Sequence, residues 1–384
     1  MRYRVKHETV YSYGSDVVHS HQLLHLVPRP SPFQQCVEHA ITISPATFSR
    51  RDESDAFGNL VTRVEFEHAH RRLDVSTDME VEVHPRPPVS AADTMPWEEV
   101  REQLSYSGRW PARDVLEACR FRHESPYVRV KQAFNEYAAD CFTPGRPVLV
   151  CAQALMQKLH RELRYAPGET NIATPLAEVL ETRRGVCQDF AHLMIACLRS
   201  RGLAARYVSG YIRLRPAKRA PAADCGDADP SHVTHLAVEA AGAVRLAFSP
   251  DVAGSPALSE RSGAQRQAQT NGDSFSRMAA NTEAAGTTEA AGTTEATATA
   301  EAAATADADA DTYVDAQADA QMDWVGAGAS HAWVAVYAPP FGWIELDPTN
   351  NVHVGTDHIA VAWGRDFGDV SPLRGVILGG GSHT

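Results

Sequence analysis

The chain has 384 residues, 36 of them Lys or Arg and 48 Asp or Glu, for a formal net charge of −12. Its hydrophobic fraction of 43% and charged fraction of 22% are those of an ordinary globular protein, which excludes a fibre or a wholly disordered chain and leaves room for two domains. The acidity is local, because residues 270–323 carry eleven acidic side chains and one Arg, so the remainder is close to neutral and shows no basic, aromatic-interleaved surface for nucleic acid.

The opening stretch MRYRVKHETVYSY spreads charges along its length and has no apolar h-region, and no run of about 18 apolar residues occurs anywhere, so a soluble protein with no membrane partner is expected. Seven cysteines, at 36, 119, 141, 151, 187, 197 and 225, form an odd set without CxxC pairs. That pattern argues against a disulfide framework and against a zinc cage, and it fits a reducing cytoplasm.

Residues 1–85 hold β-rich or alternating stretches, YRVKHETVYSY, CVEHAITISP, NLVTRVEFEH and LDVSTDMEVEVHP, separated by turns such as Phe57-Gly58-Asn59. They predict a small β domain. His19 and His21 lie two apart, with His25 beyond, and two residues apart on a strand share a face, which invites a metal reading. No nearby carboxylate or cysteine completes a site, so they read as polar strand or loop histidines and no metal is expected.

The Pro-rich segment HPRPPVSAADTMPWEEV marks a linker over 86–100, and a second domain is expected over 101–384. Helical patterns follow in VRVKQAFNEYAADCF and in PVLVCAQALMQKLHRELRY, where Leu149, Ala152, Leu155, Met156 and Leu159 form an apolar stripe. A shorter helix, TPLAEVLETRRG, has Thr174 as N-cap and Pro175 at its first position. Cys119, Cys141 and Cys151 in this region read as buried structural thiols.

The run GVCQDFAHLMIACLRSRGL, residues 185–203, is apolar nearly all round, with Phe190, Met194, Cys197 and Leu198 at helical spacing and Leu193 and Ile195 on the flanks. It predicts a central core helix that starts after Gly185, carries Asp189 in its first turn, and ends at Arg199, Arg201 and Gly202. Cys187 then sits in the first turn, where the helix dipole and free N–H groups favour a thiolate. AARYVSGYIRL follows as a strand.

Between Pro216 and Gly328 the composition turns to Ala, Thr, Gly, Asp and Glu, and EAAGTT occurs at Glu283 and again at Glu289. Residues 254–323 cannot bury enough apolar surface to offset their ordering entropy and are expected to be disordered. Asp307, Asp309 and Asp311 mimic the start of an EF-hand loop. Thr312 stands at the required Gly and Ala318 at the closing Glu, so a solvated acidic tether is the better reading.

Regular structure returns in SHAWVAVYAPPFGWIELDPTN, with strands over 332–337 and 343–347 around Pro339-Pro340-Phe341-Gly342. A symmetric hairpin centred on Pro339 places His331 opposite Asp347, within imidazole–carboxylate reach. Cys187, His331 and Asp347 then supply a nucleophile, a base that doubles as acid, and the acceptor that orients that base. Backbone N–H groups at the helix start, those of Cys187 and Gln188, are the candidate oxyanion donors. His232 also follows a serine but lacks the next Trp and a hairpin returning an Asp.

GVCQDFAHLMIACLRSRGLAARYVSGY, SHAWVAVY and GWIELDPTN together resemble the three motifs of the bacterial transglutaminase-like superfamily, in the order Cys, His, Asp. YRVKHETVYSY, SHQLLHLVPRP and DAFGNLVTRVEF are similar to the β domain that precedes the core in many bacterial members, and HIAVAWGRDFGDVSPLRGV to their closing segment. The resemblance implies an α+β fold, a papain-like core with the cysteine helix packed on an antiparallel sheet behind a small β domain. It also implies Cys187 as nucleophile, His331 as base and acid, and Asp347 as its orienting residue. The 113-residue span between the strand after Gly202 and His331 departs from the family, in which this connection is usually short.

The expected activity is acyl transfer from a peptide or protein amide through a Cys187 thioester, to water or to an amine, without a cofactor. The competing function is a non-catalytic protein-binding module on the same fold; all three residues of the triad are present.

Overall fold

The computed structural model describes residues 1–46, 49–106, 108, 110–213, 330–381 and the backbone of 311–315. His232, Cys225, the EAAGTT repeats, Asp307, Asp309 and the remainder of the long insertion lie outside the described residues.

The N-terminal sheet is antiparallel, in the order β2-β5-β1-β4-β3, from β1 (Arg2–Leu24), β2 (Gln34–Ser44), β3 (Ser49–Ser54), β4 (Leu60–Phe66) and β5 (His70–Val83). β1 buries Tyr3, Val5, His7, Thr9, Tyr11 and Tyr13 on one face, as its alternation requires. An irregularity between Val17 and His19, where the strand gains one residue, then reverses the phase, so Ser20, Gln22 and Leu24 point inward and His19 and His21 outward. One inserted residue in a period-2 strand is enough to exchange its faces.

Among the described residues, seven α-helices follow. They include α1 (Trp97–Gln103), α2 (Arg113–Cys119), α3 (Gln132–Tyr137), α4 (Val148–Glu162) and α5 (Leu176–Thr182). The expected stripe on α4, Leu149 to Leu159, is fully inside. Pro175 takes the N-cap position of α5, one residue later than expected, because the Thr174 hydroxyl accepts the N–H of Asn171. The strands β6 (Arg164–Tyr165) and β7 (Arg184–Gly185) pair in parallel and lead into α6 (Cys187–Ser200).

Every residue of α6 from Asp189 to Arg199 is buried. Phe190, Leu193, Met194, Ile195 and Leu198 each contribute at most about 1.5–3 kcal/mol by leaving water, so the helix and the cysteine at its start are held rigidly. Arg199, expected at the end of the helix, is buried. Its guanidinium donates to Phe121 O, Ser125 Oγ, Ala205 O and Arg365 O, tying the 121–125 loop and the chain at Ala205 and at Arg365 to the helix.

α6 packs on a second antiparallel sheet, β12-β11-β10-β8-β13. Its strands are β8 (Ala205–Ile212), β10 (His331–Tyr337), β11 (Trp343–Asp347), β12 (Val352–His353) and β13 (His358–Gly364). β9 (Asp311–Asp315) instead pairs with β1, inside the stretch expected to be disordered. The β-forming run Thr312-Tyr313-Val314 accounts for it. After the short α7 (Phe367–Val370), β14 (Leu373–Gly379) leaves the core and pairs with β1.

Two expected boundaries therefore change. The C-terminal segment assigned to 101–384 closes the N-terminal sheet, because Leu373 and Ile377 pack among Tyr11, Val17, Leu24 and Val64. The 86–100 segment is no free linker. Trp97 and Val100 are buried, and Met95 donates its N–H to Pro339 O. One apolar cluster runs from Tyr3, Val5 and Val81 of the first sheet to Phe190 and Leu193 of α6.

Candidate active site

The start of α6 is built by Gly185 and Asp189. The Asp189 carboxylate accepts the N–H of Val186 at 2.8 Å and the hydroxyl of Thr170 at 2.6 Å. A Cβ on Gly185 would stand 2.6 Å from that same carboxylate, so only glycine lets the chain turn there. Asp189 and Phe190 both donate their N–H to Val186 O. The N–H groups of Cys187 and Gln188 are left at the helix mouth, since the first turn of a helix has no intrahelical acceptor. Cys187 itself is half-buried and reachable from solvent.

His331 opens β10, paired with Gly210 of β8. A side chain at 210 would collide with Trp333 and with Ile359 O. The hairpin register is Val334 with Leu346, Ala335 with Glu345 and Tyr337 with Trp343, so its centre is Pro340 rather than Pro339. The turn is closed by Ala338 N–H to Gly342 O and Phe341 N–H to Ala338 O. The expected direct opposition of His331 and Asp347 is thus displaced by two residues. Because two is the strand period, both still point to one face, as diagonal neighbours that long side chains can bridge. They meet through His331 Nε2 and Asp347 Oδ2 at 2.8 Å.

Three residues absent from the sequence-based site complete it. Asp347 Oδ1 accepts the N–H groups of Thr349 and Asn350, while Oδ2 also receives the Asn350 amide at 2.8 Å and faces His358 Nε2 at 3.2 Å. The Thr349-Asn350 pair was legible as a turn after the strand; His358, on a different strand, carried no local signal. α4 braces this turn from behind, with His160 Nδ1 2.9 Å from Thr349 O.

His331 and Asp347 are fully buried. Burial alone works against a charge on His331, but the Asp347 carboxylate overcomes it, and the Cys187 side chain adds to the same push, raising the imidazole to about 10. Burial likewise disfavours the Asp347 carboxylate, and His331 and His358 more than reverse that, driving it well below the usual carboxylate range. The histidine is therefore held as an imidazolium against a carboxylate. Its Nδ1 makes no hydrogen bond of good geometry among the described residues and is the nitrogen available to Cys187. Trp333 packs beside His331 with ring centroids 6.1 Å apart, is anchored through its indole N–H to Glu345 at 2.6 Å, and meets His358 edge-on. By contrast, Cys141, Cys151 and Cys197 are buried and their thiols are pushed up by burial, to about 11, about 12 and higher.

Residues 3–82 match the bacterial transglutaminase-like N-terminal region, and residues 135–242 the transglutaminase-like superfamily. An uncharacterized protein of Mycobacterium tuberculosis is 30% identical over 383 residues, covering 98% of this chain and 87% of that protein. The chain belongs to the transglutaminase-like superfamily.

An uncharacterized protein of Mycobacterium leprae is 25% identical over 381 residues, covering 99% of this chain and 95% of its own length. The crystal structure of a Cytophaga hutchinsonii protein, provisionally called a cysteine protease, aligns with a TM-score of 0.55 at 14% identity, covering 100% of this chain and 87% of that one. At that identity the likeness concerns the transglutaminase-like fold, which the α6-on-sheet core and the preceding β domain share. The superfamily match carries Cys187 and ends before His331, with the long insertion between.

Proposed function

We propose that this transglutaminase-like protein is a cysteine enzyme acting on peptide or protein amides through a thioester at Cys187. The observation that carries the reading is the approach of three elements: Cys187 at the mouth of α6, His331 at the start of β10, and Asp347 at the end of β11, with a 2.8 Å contact between the last two.

In this mechanism the Cys187 thiolate adds to the amide carbonyl carbon, and the carbonyl π electrons move to oxygen, where the N–H groups of Cys187 and Gln188 receive the negative charge. His331 passes its Nδ1 proton to the leaving nitrogen as the C–N bond breaks, releasing ammonia or an amine and leaving the thioester. The now neutral His331 takes a proton from water or from an acceptor amine as that nucleophile adds to the thioester. Collapse breaks the C–S bond and restores the thiolate and the imidazolium. Asp347 stays ionised throughout and fixes the ring. Water is the favoured acceptor, since Cys187 keeps contact with solvent.

A glutamine-containing peptide library incubated with the protein and a labelled amine, read by mass spectrometry, scores cleavage, deamidation and amine incorporation together. Products made by the wild type and absent with Cys187→Ala support the reading. Identical products from the two proteins would overturn it.

A further inference from the structure

On the outer face of the N-terminal sheet, far along the sequence from the triad, strand pairing gathers three potential metal ligands. His19 and His21 of β1 share the outward face after the phase reversal, and Glu65 of β4 is the cross-strand partner of His21. The sequence lacked a carboxylate close to these histidines; the β1–β4 register supplies one. His25, the third histidine of the sequence cluster, is instead buried, with Nδ1 3.1 Å from Ser371 O and Nε2 3.4 Å from Asp55.

We propose that His19, His21 and Glu65 bind a divalent transition-metal ion of the Zn²⁺ class. The two Nε2 atoms are 2.8 Å apart, and Glu65 Oε1 lies 3.6 Å from the first and 3.4 Å from the second. A triangle with those sides has its centre about 1.9 Å from each corner, so one ion at ~2.0–2.1 Å from all three atoms fits slightly out of their plane. Two nitrogen atoms this close share either a proton or an ion, and the adjacent carboxylate oxygen supplies a third ligand atom that an ion can use and a shared proton cannot. Two imidazoles with one carboxylate and no thiolate suit Zn²⁺, Co²⁺, Ni²⁺ or Cu²⁺ rather than the oxygen-seeking Ca²⁺ or Mg²⁺.

The surroundings allow the ion to enter and stay. The side chains are 38%, 59% and 38% exposed, so further coordination positions remain for solvent or a ligand. His21 and Glu65 also border a cavity of about 680 Å³ that reaches Tyr127 and Phe367. Of the arginines that line the same cavity, Arg63 is paired with Glu53 and Arg50 with Asp52, while Arg51 and Arg374 add positive charge to its wall. The other metal-capable group among the described residues, His331, Asp347 and His358, is fully buried and shares His331 and Asp347 with the proposed triad.

The test uses the full, tag-free chain, stripped with a chelator and titrated with Zn²⁺ and with Co²⁺. Calorimetry should give one equivalent, and Co²⁺ should develop visible d–d bands without a thiolate charge-transfer band. Loss of an outer partner alone typically costs about 10–100-fold in affinity, so His19→Ala and His21→Ala should weaken binding by at least ~10-fold. Glu65→Gln should weaken it as well, while His39→Ala and His331→Ala leave it unchanged. Retention of the site in the three ligand variants, loss of it in His331→Ala, no binding at all, or a thiolate band in the Co²⁺ spectrum of the wild type would each overturn the assignment. The spectrum needs no variant and so stands even if a substitution disturbs folding.

Discussion

Asp347→Asn isolates the electrostatic half of the proposed triad while preserving its shape. The carboxamide oxygen can keep the N–H groups of Thr349 and Asn350, but its NH₂ would face His331, His358 and the Asn350 amide, all crowded on Oδ2. His331 Nε2 must then accept, and the neutral ring carries its proton on Nδ1, so it can no longer take one from the thiol. His331 rises from 6.5 to about 10 with the carboxylate in place, and each unit is worth about 1.4 kcal/mol. That places the upper bound near 5 kcal/mol, shared between Asp347 and Cys187, in line with the roughly 3–5 kcal/mol cost of removing one member of a buried ion pair. The corresponding rate loss is about 10²–10⁴-fold. Alkylation of Cys187 by iodoacetamide at pH 6, followed on its own peptide by mass spectrometry, measures this without a known substrate. A folded Asp347→Asn variant alkylated at the wild-type rate would refute the role given to the carboxylate.

The pH dependence of stability should have two limbs. His331 is raised in the folded state, so its contribution is complete below about 6.5 and is lost as pH climbs toward about 10. The difference in Tm between wild type and Asp347→Asn should therefore shrink across that window, and a constant difference would contradict the pairing. Burial lowers His192 to about 3 and His7 to about 4, so the unfolded chain binds protons that the folded chain refuses and stability falls from pH 6.5 toward 4. His192→Gln, which retains an acceptor for the N–H of Phe367, should flatten this acid limb in thermal melts. Gly185→Ala should abolish Cys187 reactivity and lower stability by about 1–3 kcal/mol, because the new methyl displaces the Asp189 carboxylate that organises the helix start. Denaturation together with alkylation would show whether the two effects travel together. Arg199→Met should cost about 2–5 kcal/mol in denaturant melts, since it strips donors from Phe121 O, Ala205 O and Arg365 O inside the core; a change below ~0.5 kcal/mol would show those carbonyls find other partners.

Much of the site depends on short-range pattern, and that part was readable. The all-round apolar run after Gly185 could only be a core helix, and its first turn had to hold Cys187. The hairpin parity was equally legible: shifting the centre from Pro339 to Pro340 moved the register by two and left His331 and Asp347 on the same face. Arg199 shows where such pattern stops, since a basic residue in the last turn gives no sign that the carbonyls of distant segments close around it.

The sequence by itself determined the chemistry that is local: which residue starts the buried helix, which strands alternate, and which side chains are available to act as nucleophile, base and acceptor. Tertiary structure alone decided the pairings across long separations, bringing His358 to Asp347, β14 to β1 and Glu65 to His19 and His21. The physical reason is that periodicity of 2 or 3.6 is fixed by backbone geometry within a few residues, whereas the partner of a strand is chosen by the burial of the whole chain at once.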